Sequence, residues 1–355
     1  MKKNSAQNIA VYGVAHALVD CVSVGVLFSV SGGGMAQGMS SFGLVVLYII
    51  LAFGLQAVAG MVVDYTKAPK TAAIFGVILV GLSALAMTTA PIIAVVLAGI
   101  GNAIFHVGGG VVSLSLTPRR ATAAGLFVAF GAIGLLLGTL LGKMGLFSVA
   151  PFVIAALLAV LAIIVTKNSA KTIMYEDGHE DRVYKKFEMI LLFVMFAIVI
   201  RSYVGMILLF PWKSNLFLLI ALTCAVFLGK ALGGILADRF GWNRIAVGAL
   251  IISAPLLAFW SDVPAMAILG VFLFNITMPV TLVVMANILP KHAGLSFGLT
   301  CFALFLGTLP VVYGWQIAQL STTGTLVVIL ISAVALFIGL KLYDKSAELN
   351  VKVQP

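Results

Sequence analysis

Charge is scarce in this chain. Only 9% of its 355 residues are Asp, Glu, Lys or Arg, while 62% are hydrophobic. A soluble domain carries about 25% charge. With a mean hydropathy of +1.20, too much apolar surface is present for one soluble core to hide, so the surrounding solvent is lipid. Cysteine is nearly lacking as well. Cys21, Cys224 and Cys301 stand far apart in apolar stretches, which excludes a disulfide framework and a CxxC pair and leaves them as small packing residues. No Gly-x-x-x-x-Gly-Lys-Ser/Thr loop occurs, so ATP is not the energy source. The absence of HExxH and of a deep Ser–Lys pair speaks against an intramembrane enzyme built around acid–base groups at His16, Asp20 and His106. The long apolar runs also lack the alternation of a transmembrane barrel.

What is present is a series of twelve apolar segments: 8–30, 41–63, 70–89, 92–116, 122–142, 145–166, 188–210, 214–237, 245–260, 264–289, 294–319 and 324–342. Most reach the roughly 20 residues that a spanning helix needs. The first reads as a retained helix rather than a signal peptide, because His16 and Asp20 interrupt it. The expected fold class is all-α integral membrane, with twelve transmembrane helices in two six-helix bundles. Residues 1–167 form the first bundle, 168–187 a solvated linker rich in mixed charge, and 188–355 the second bundle.

The 21 basic residues give a formal net charge of +10, and their placement fixes an orientation. In the twelve-helix arrangement one side collects Lys2, Lys3, Lys67, Lys70, Arg119, Arg120, Lys167, Lys171, Arg182, Lys185, Lys186, Arg239, Arg244, Lys291, Lys341, Lys345 and Lys352. The other side has Lys143 and Lys213, and Arg201 and Lys230 fall inside helices. The positive-inside rule places the larger set, and both termini, in the cytoplasm. Localisation in the inner or plasma membrane follows, with contact to anionic lipid headgroups. No basic face suited to nucleic acid exists.

Two landmarks repeat near half the chain length. Gly60-Met-Val-Val-Asp64 matches Gly234-Ile-Leu-Ala-Asp238, and Pro118-Arg119-Arg120 matches Pro290-Lys291-His292. Internal repeats of this kind are a hallmark of secondary transporters. The second landmark continues as Asp238-Arg239-Phe240-Gly241-Trp242-Asn243-Arg244 and resembles the cytoplasmic loop signature of the major facilitator superfamily. That resemblance implies a gating latch at Gly60, Asp64, Gly234, Asp238, Arg239 and Arg244, each carboxylate sitting against the positive end of a helix from the opposite half. In the first half, His16-Ala-Leu-Val-Asp20, Leu55-Gln56 and Gly101-Asn-Ala-Ile-Phe105-His106 are similar to the fosmidomycin-resistance group of efflux proteins. Val107 stands where that group has proline. The resemblance implies alternating access around a central cavity lined by helices 1, 4, 7 and 10, export of a small molecule, and no cofactor. It also implies a protein that works as a monomer.

Ionisable residues inside a membrane cost several kcal/mol and mark function. His16 and Asp20 are four residues apart on one helix face, as are Asn102 and His106. A carboxylate and two imidazoles can pass a proton between them, so Asp20, His16 and His106 are the expected proton-coupling groups. Arg201 is the candidate anchor for an anionic substrate group or a partner for Asp20; Asn102, Gln56 and Asn275 are further candidate substrate contacts. Lys230 reads as a snorkelling side chain. The stripe Gly131, Gly134, Gly138 and Gly142 reads as close helix packing. The expected function is therefore proton-coupled efflux of a small organic molecule by an antiporter. Two alternatives stay open: a divalent metal exporter using His16, Asp20 and His106 with Cys21, and an importer of an organic anion. A channel accounts for buried charge but not for repeated latch loops.

Overall fold

The computed structural model describes residues 3–33, 39–166, 186–315 and 320–352. The proposed linker 168–187 lies almost wholly outside the described residues; of it, only Lys186 and Phe187 are described. Among the described residues twelve α-helices follow one another: α1 Lys3–Gly32, α2 Ser41–Thr66, α3 Pro69–Ala86, α4 Pro91–Leu116, α5 Ala121–Lys143, α6 Val149–Val165, α7 Phe187–Ile207, α8 Leu216–Phe240, α9 Trp242–Phe259, α10 Pro264–Ile288, α11 Ala293–Val312 and α12 Thr322–Lys352. Eleven are long and apolar enough to cross a membrane, and α6 is a shorter apolar helix. No strand occurs among the described residues. An all-helical fold satisfies each backbone polar group within its own segment, which lipid demands.

Local chemistry sets the helix ends. Pro69, Pro91 and Pro264 open α3, α4 and α10, where a missing N–H costs nothing and φ is preset. The side chains of Ser40 and Asn215 accept from Gly43 N and Leu218 N at the starts of α2 and α8. Gly241, at φ 97°, permits the abrupt change of direction between α8 and α9 that a residue with a Cβ resists. Lys70 Nζ donates to the carbonyls of Ile164 and Thr166 at 2.9 and 2.8 Å, neutralising the negative end of α6. Two helices are interrupted. α2 contains a π turn at Ile50–Gly54, and α10 breaks at Ile276.

Contacts between Cα atoms divide the chain into two units. The first takes Met1–Pro118, Phe127–Glu176 and His292–Phe302; the second takes Arg119–Leu126, Asp177–Lys291 and Ala303–Pro355. The opening turns of α5 and α11 are thus grouped apart from the rest of those helices.

In the first unit glycines let helices touch backbone to backbone. A Cβ at Gly76 of α3 would lie 2.7 Å from Gly101 O of α4. The α5 stripe lies on α1: a Cβ at Gly134 would strike the Ala17 carbonyl, one at Gly138 the Cys21 carbonyl, and one at Gly142 would come within 2.8 Å of Gly25 O. In the second unit α12 packs along both α7 and α9, and α8 along α10.

Candidate functional site

α1 and α4 of the first unit carry a buried polar centre. Asp20, His16 and Asn102 are 6%, 4% and 2% exposed, and His106 is half-buried. His16 Nε2 stands 3.2 Å from Asp20 Oδ2, a pairing fixed by their four-residue spacing on one helix. From α4, Asn102 Nδ2 donates to Asp20 Oδ1 at 2.9 Å, and His106 Nε2 lies 3.6 Å from the same oxygen. The two imidazoles meet edge to face with ring centres 4.4 Å apart. Phe127 lies against His16 at 4.6 Å, and Phe105 at 6.2 Å; both phenyl rings are fully buried.

The proton inventory follows from the outer ring nitrogens. His16 Nδ1 is 2.8 Å from Phe127 O, and His106 Nδ1 is 2.8 Å from Asn102 O. A carbonyl only accepts, so both Nδ1 atoms carry hydrogen and donate. A neutral imidazole then presents a bare lone pair at Nε2. Two lone pairs facing each other at the His16–Asp20 distance repel, whereas one proton between them makes a hydrogen bond. The geometry thus suits a proton shared between His16 and Asp20. Cys21, Tyr48 and Cys301 also have electrostatics that involve Asp20.

Gly131 completes this centre. A Cβ there would lie 2.6 Å from His16 Nε2 and 2.7 Å from Asp20 Oδ2. One glycine of the stripe thus serves the polar centre itself, and not only helix packing. No periodicity in the sequence separates it from its neighbours Gly134 and Gly138. The acceptor role of the Phe127 carbonyl also has no signature in the sequence.

The other expected contacts are arranged differently. Gln56 Nε2 and Asn275 Nδ2 each donate to a carbonyl four residues back on their own helix, Ala52 O at 2.7 Å and Val271 O at 2.8 Å. Each amide sits beside its helix's irregularity, the π turn of α2 or the break of α10, and occupies a carbonyl there. Gln56 Oε1 is buried without a hydrogen-bond partner. Arg201 belongs to the second unit, where its Nη1 donates to Thr277 Oγ1 at 3.3 Å.

The repeated corners have one geometry. Asp64 Oδ1 and Oδ2 accept from the backbone N–H groups of Gly294 and Leu295, both at 2.8 Å, at the start of α11. Asp238 Oδ1 and Oδ2 accept from Ala121 N and Thr122 N at 2.8 and 2.9 Å, at the start of α5. Each carboxylate satisfies orphan donors and faces the positive end of a helix drawn from the other half of the sequence. A Cβ on Gly60 would collide with the Gly294 carbonyl, and one on Gly234 with that of Ala121, so each glycine admits the helix its aspartate caps. The second repeated landmark, Pro-basic-basic, immediately precedes these two receiving ends. Asp238 also accepts from Thr122 Oγ1 at 2.6 Å and Trp242 Nε1 at 3.1 Å. Arg239 lies over the Phe240 ring at 5.3 Å. Arg244 lines a surface depression with Arg119, Trp242 and Asp344.

Gly294-Leu295-Ser296-Phe297-Gly298 spells Gly-x-Ser-x-Gly. It lies in the first turns of α11 with no preceding strand, and Ser296 Oγ donates to His292 O at 2.7 Å. The strand–turn–helix context of a nucleophile elbow is missing.

No curated protein matches the chain in sequence. Solved structures match across nearly its whole length. The human organic anion transporter MFSD10 (TETRAN) is 11% identical with a TM-score of 0.68, over 96% of this chain and 99% of its own. The transporter FucP in its outward conformation is 13% identical with a TM-score of 0.67, over 95% and 99%. The proton:xylose symporter XylE is 16% identical with a TM-score of 0.62, over 99% and 96%. At these identities the likeness establishes the fold. In sequence, residues 22–312 match the Major Facilitator Superfamily; the chain belongs to that superfamily and is a multi-pass membrane transporter.

Proposed function

We propose that this transporter exports a small organic molecule in exchange for protons, by alternating access between two six-helix bundles joined through residues 168–187. The observation that supports the proton role is the buried His16–Asp20 pair at 3.2 Å, with the second imidazole of His106 alongside. Asp20 takes up and releases the proton, while His16 and His106 share it. Outward direction rests on the resemblance of the first half to the fosmidomycin-resistance efflux group.

Arg201, with its fork of N–H donors, holds an anionic group of the substrate, assisted by Asn102, Gln56 and Asn275. The corners at Asp64 and Asp238, with Gly60, Gly234, Arg239 and Arg244, act as latches that hold the cytoplasmic side closed. The basic loops set both termini in the cytoplasm of a cell with the protein in its inner or plasma membrane. The protein works as a monomer and needs no cofactor.

The test is a ligand thermal-shift screen of small organic acids and amines on purified protein at about pH 6 and about pH 8, on either side of imidazole titration. Hits are then assayed for counterflow in vesicles with and without a pH gradient. Wild type is expected to show ligand stabilisation that depends on pH and flux that follows the gradient, and Asp20→Asn to lose both dependences. Identical pH dependence in the two proteins removes Asp20 from coupling.

A further inference from the structure

We infer that His16, Asp20 and His106 also form a binding site for a divalent transition-metal ion, such as zinc or cobalt. The three ligand atoms lie within 4.8 Å of one another. Two of the separations, 3.2 Å from His16 and 3.6 Å from His106 to the carboxylate, bracket the roughly 3.3 Å that ligand atoms keep around a tetrahedral ion with bonds near 2.0–2.1 Å. Side-chain rotation would close the remaining gap between the two imidazoles.

The outer shell supports this assignment. A metal-binding histidine gives its second ring N–H to a carbonyl or carboxylate, which fixes the tautomer and aims the lone pair. Both histidines do this, through Phe127 O and Asn102 O. Asn102 Nδ2 holds the carboxylate in the same way. All three ligands are thus oriented by groups that are not themselves ligands. Two nitrogens and one oxygen suit zinc, cobalt or nickel rather than magnesium or calcium. A tetrahedral ion would take one more ligand, such as water, beyond these three. On the Gly131 side the α5 backbone packs close, since a Cβ there would lie 2.7 Å from Asp20 Oδ2.

The charge balance is explicit. The ion takes the lone pair of each Nε2 and one carboxylate oxygen, and any proton held between His16 and Asp20 leaves to solvent. Cys21 on the same helix, Tyr48 on α2 and Cys301 on α11 also have electrostatics that involve Asp20. The residues are those given the proton role in the function proposed above; the coordination does not rest on that role.

The experiment uses the full-length protein, freed of any histidine tag and stripped with chelator, titrated with Co²⁺ and followed by visible absorption. One ion per chain with intense tetrahedral bands is expected. His106→Gln and His16→Gln should each lower affinity by at least about a hundredfold, and Asn102→Ala by about ten- to a hundredfold. His292→Gln, outside the cluster, should leave it unchanged. If His16→Gln fails to fold, the His106→Gln and Asn102→Ala variants decide. Absence of Co²⁺ binding, octahedral spectra, or binding that survives His106→Gln overturns the site. Lost metal binding with pH-dependent transport intact overturns this inference alone. Metal binding as described, with transport in Asp20→Asn that still follows the pH gradient, overturns the proton reading alone.

Discussion

At Asp64 and at Asp238 the two halves of the sequence do the same thing. A glycine admits a second helix, and an aspartate four residues later accepts two successive N–H groups from its first turn. The buried polar groups follow no such symmetry. α1 and α4 gather a carboxylate, an amide and two imidazoles within hydrogen-bonding reach. Their counterparts α7 and α10 offer one guanidinium on one hydroxyl. The repeat has preserved the joints and let the chemistry diverge. Joints are constrained by backbone geometry, which tolerates few residue types, whereas a polar centre is constrained only by what it must bind.

The largest effect expected from breaking this contrast is at the asymmetric centre. Asp20→Ala strands the Asn102 amide and both imidazoles in a dry site, and should cost about 3–5 kcal/mol of stability, as removal of one partner from a buried pair does. Thermal unfolding in detergent measures it; a loss near zero would mean the site is wet. Next come the joints. Asp64→Ala and Asp238→Ala each leave two helix-start N–H groups without their acceptor, worth about 1–3 kcal/mol. Equal losses, with equal gains in reactivity of a cysteine placed at the affected corner, would confirm mechanical equivalence. A large loss at one corner and none at the other would end it. The smallest effect separates the joints from each other. Thr122→Val removes only the hydroxyl donor to Asp238 at 2.6 Å and should cost about 0.5–1.5 kcal/mol.

Much of this was legible in the residues, for definite reasons. Long apolar runs gave the helices because lipid permits no other open-chain solution. The Gly-x-x-x-Asp repeat gave the joints because both its residues act through invariant geometry. His16 and Asp20 were readable as a pair because a helix brings positions four apart together, and the same spacing aligned Asn102 with His106. That the two pairs meet is a property of how α1 packs on α4, which the resemblance to transporters suggested and local pattern could not. The roles of Gly131 and of the Phe127 carbonyl were illegible, since a missing side chain and a main-chain oxygen leave no mark. Gln56 and Asn275 drew notice as buried amides. Their bonding to their own helices is explained by the π turn of α2 and the break of α10, neither of which the sequence announces.

The seam between α1 and α5 has a mechanical corollary. Gly134, Gly138 and Gly142 meet Ala17, Cys21 and Gly25, and the last two steps on α5 match those on α1 at four residues each. Four residues of helix rise about 6 Å, so the notches recur along the seam at that spacing. Each notch along the seam is thus a glycine against a main-chain carbonyl, and a side chain at Gly134 or Gly138 would force the two rods apart.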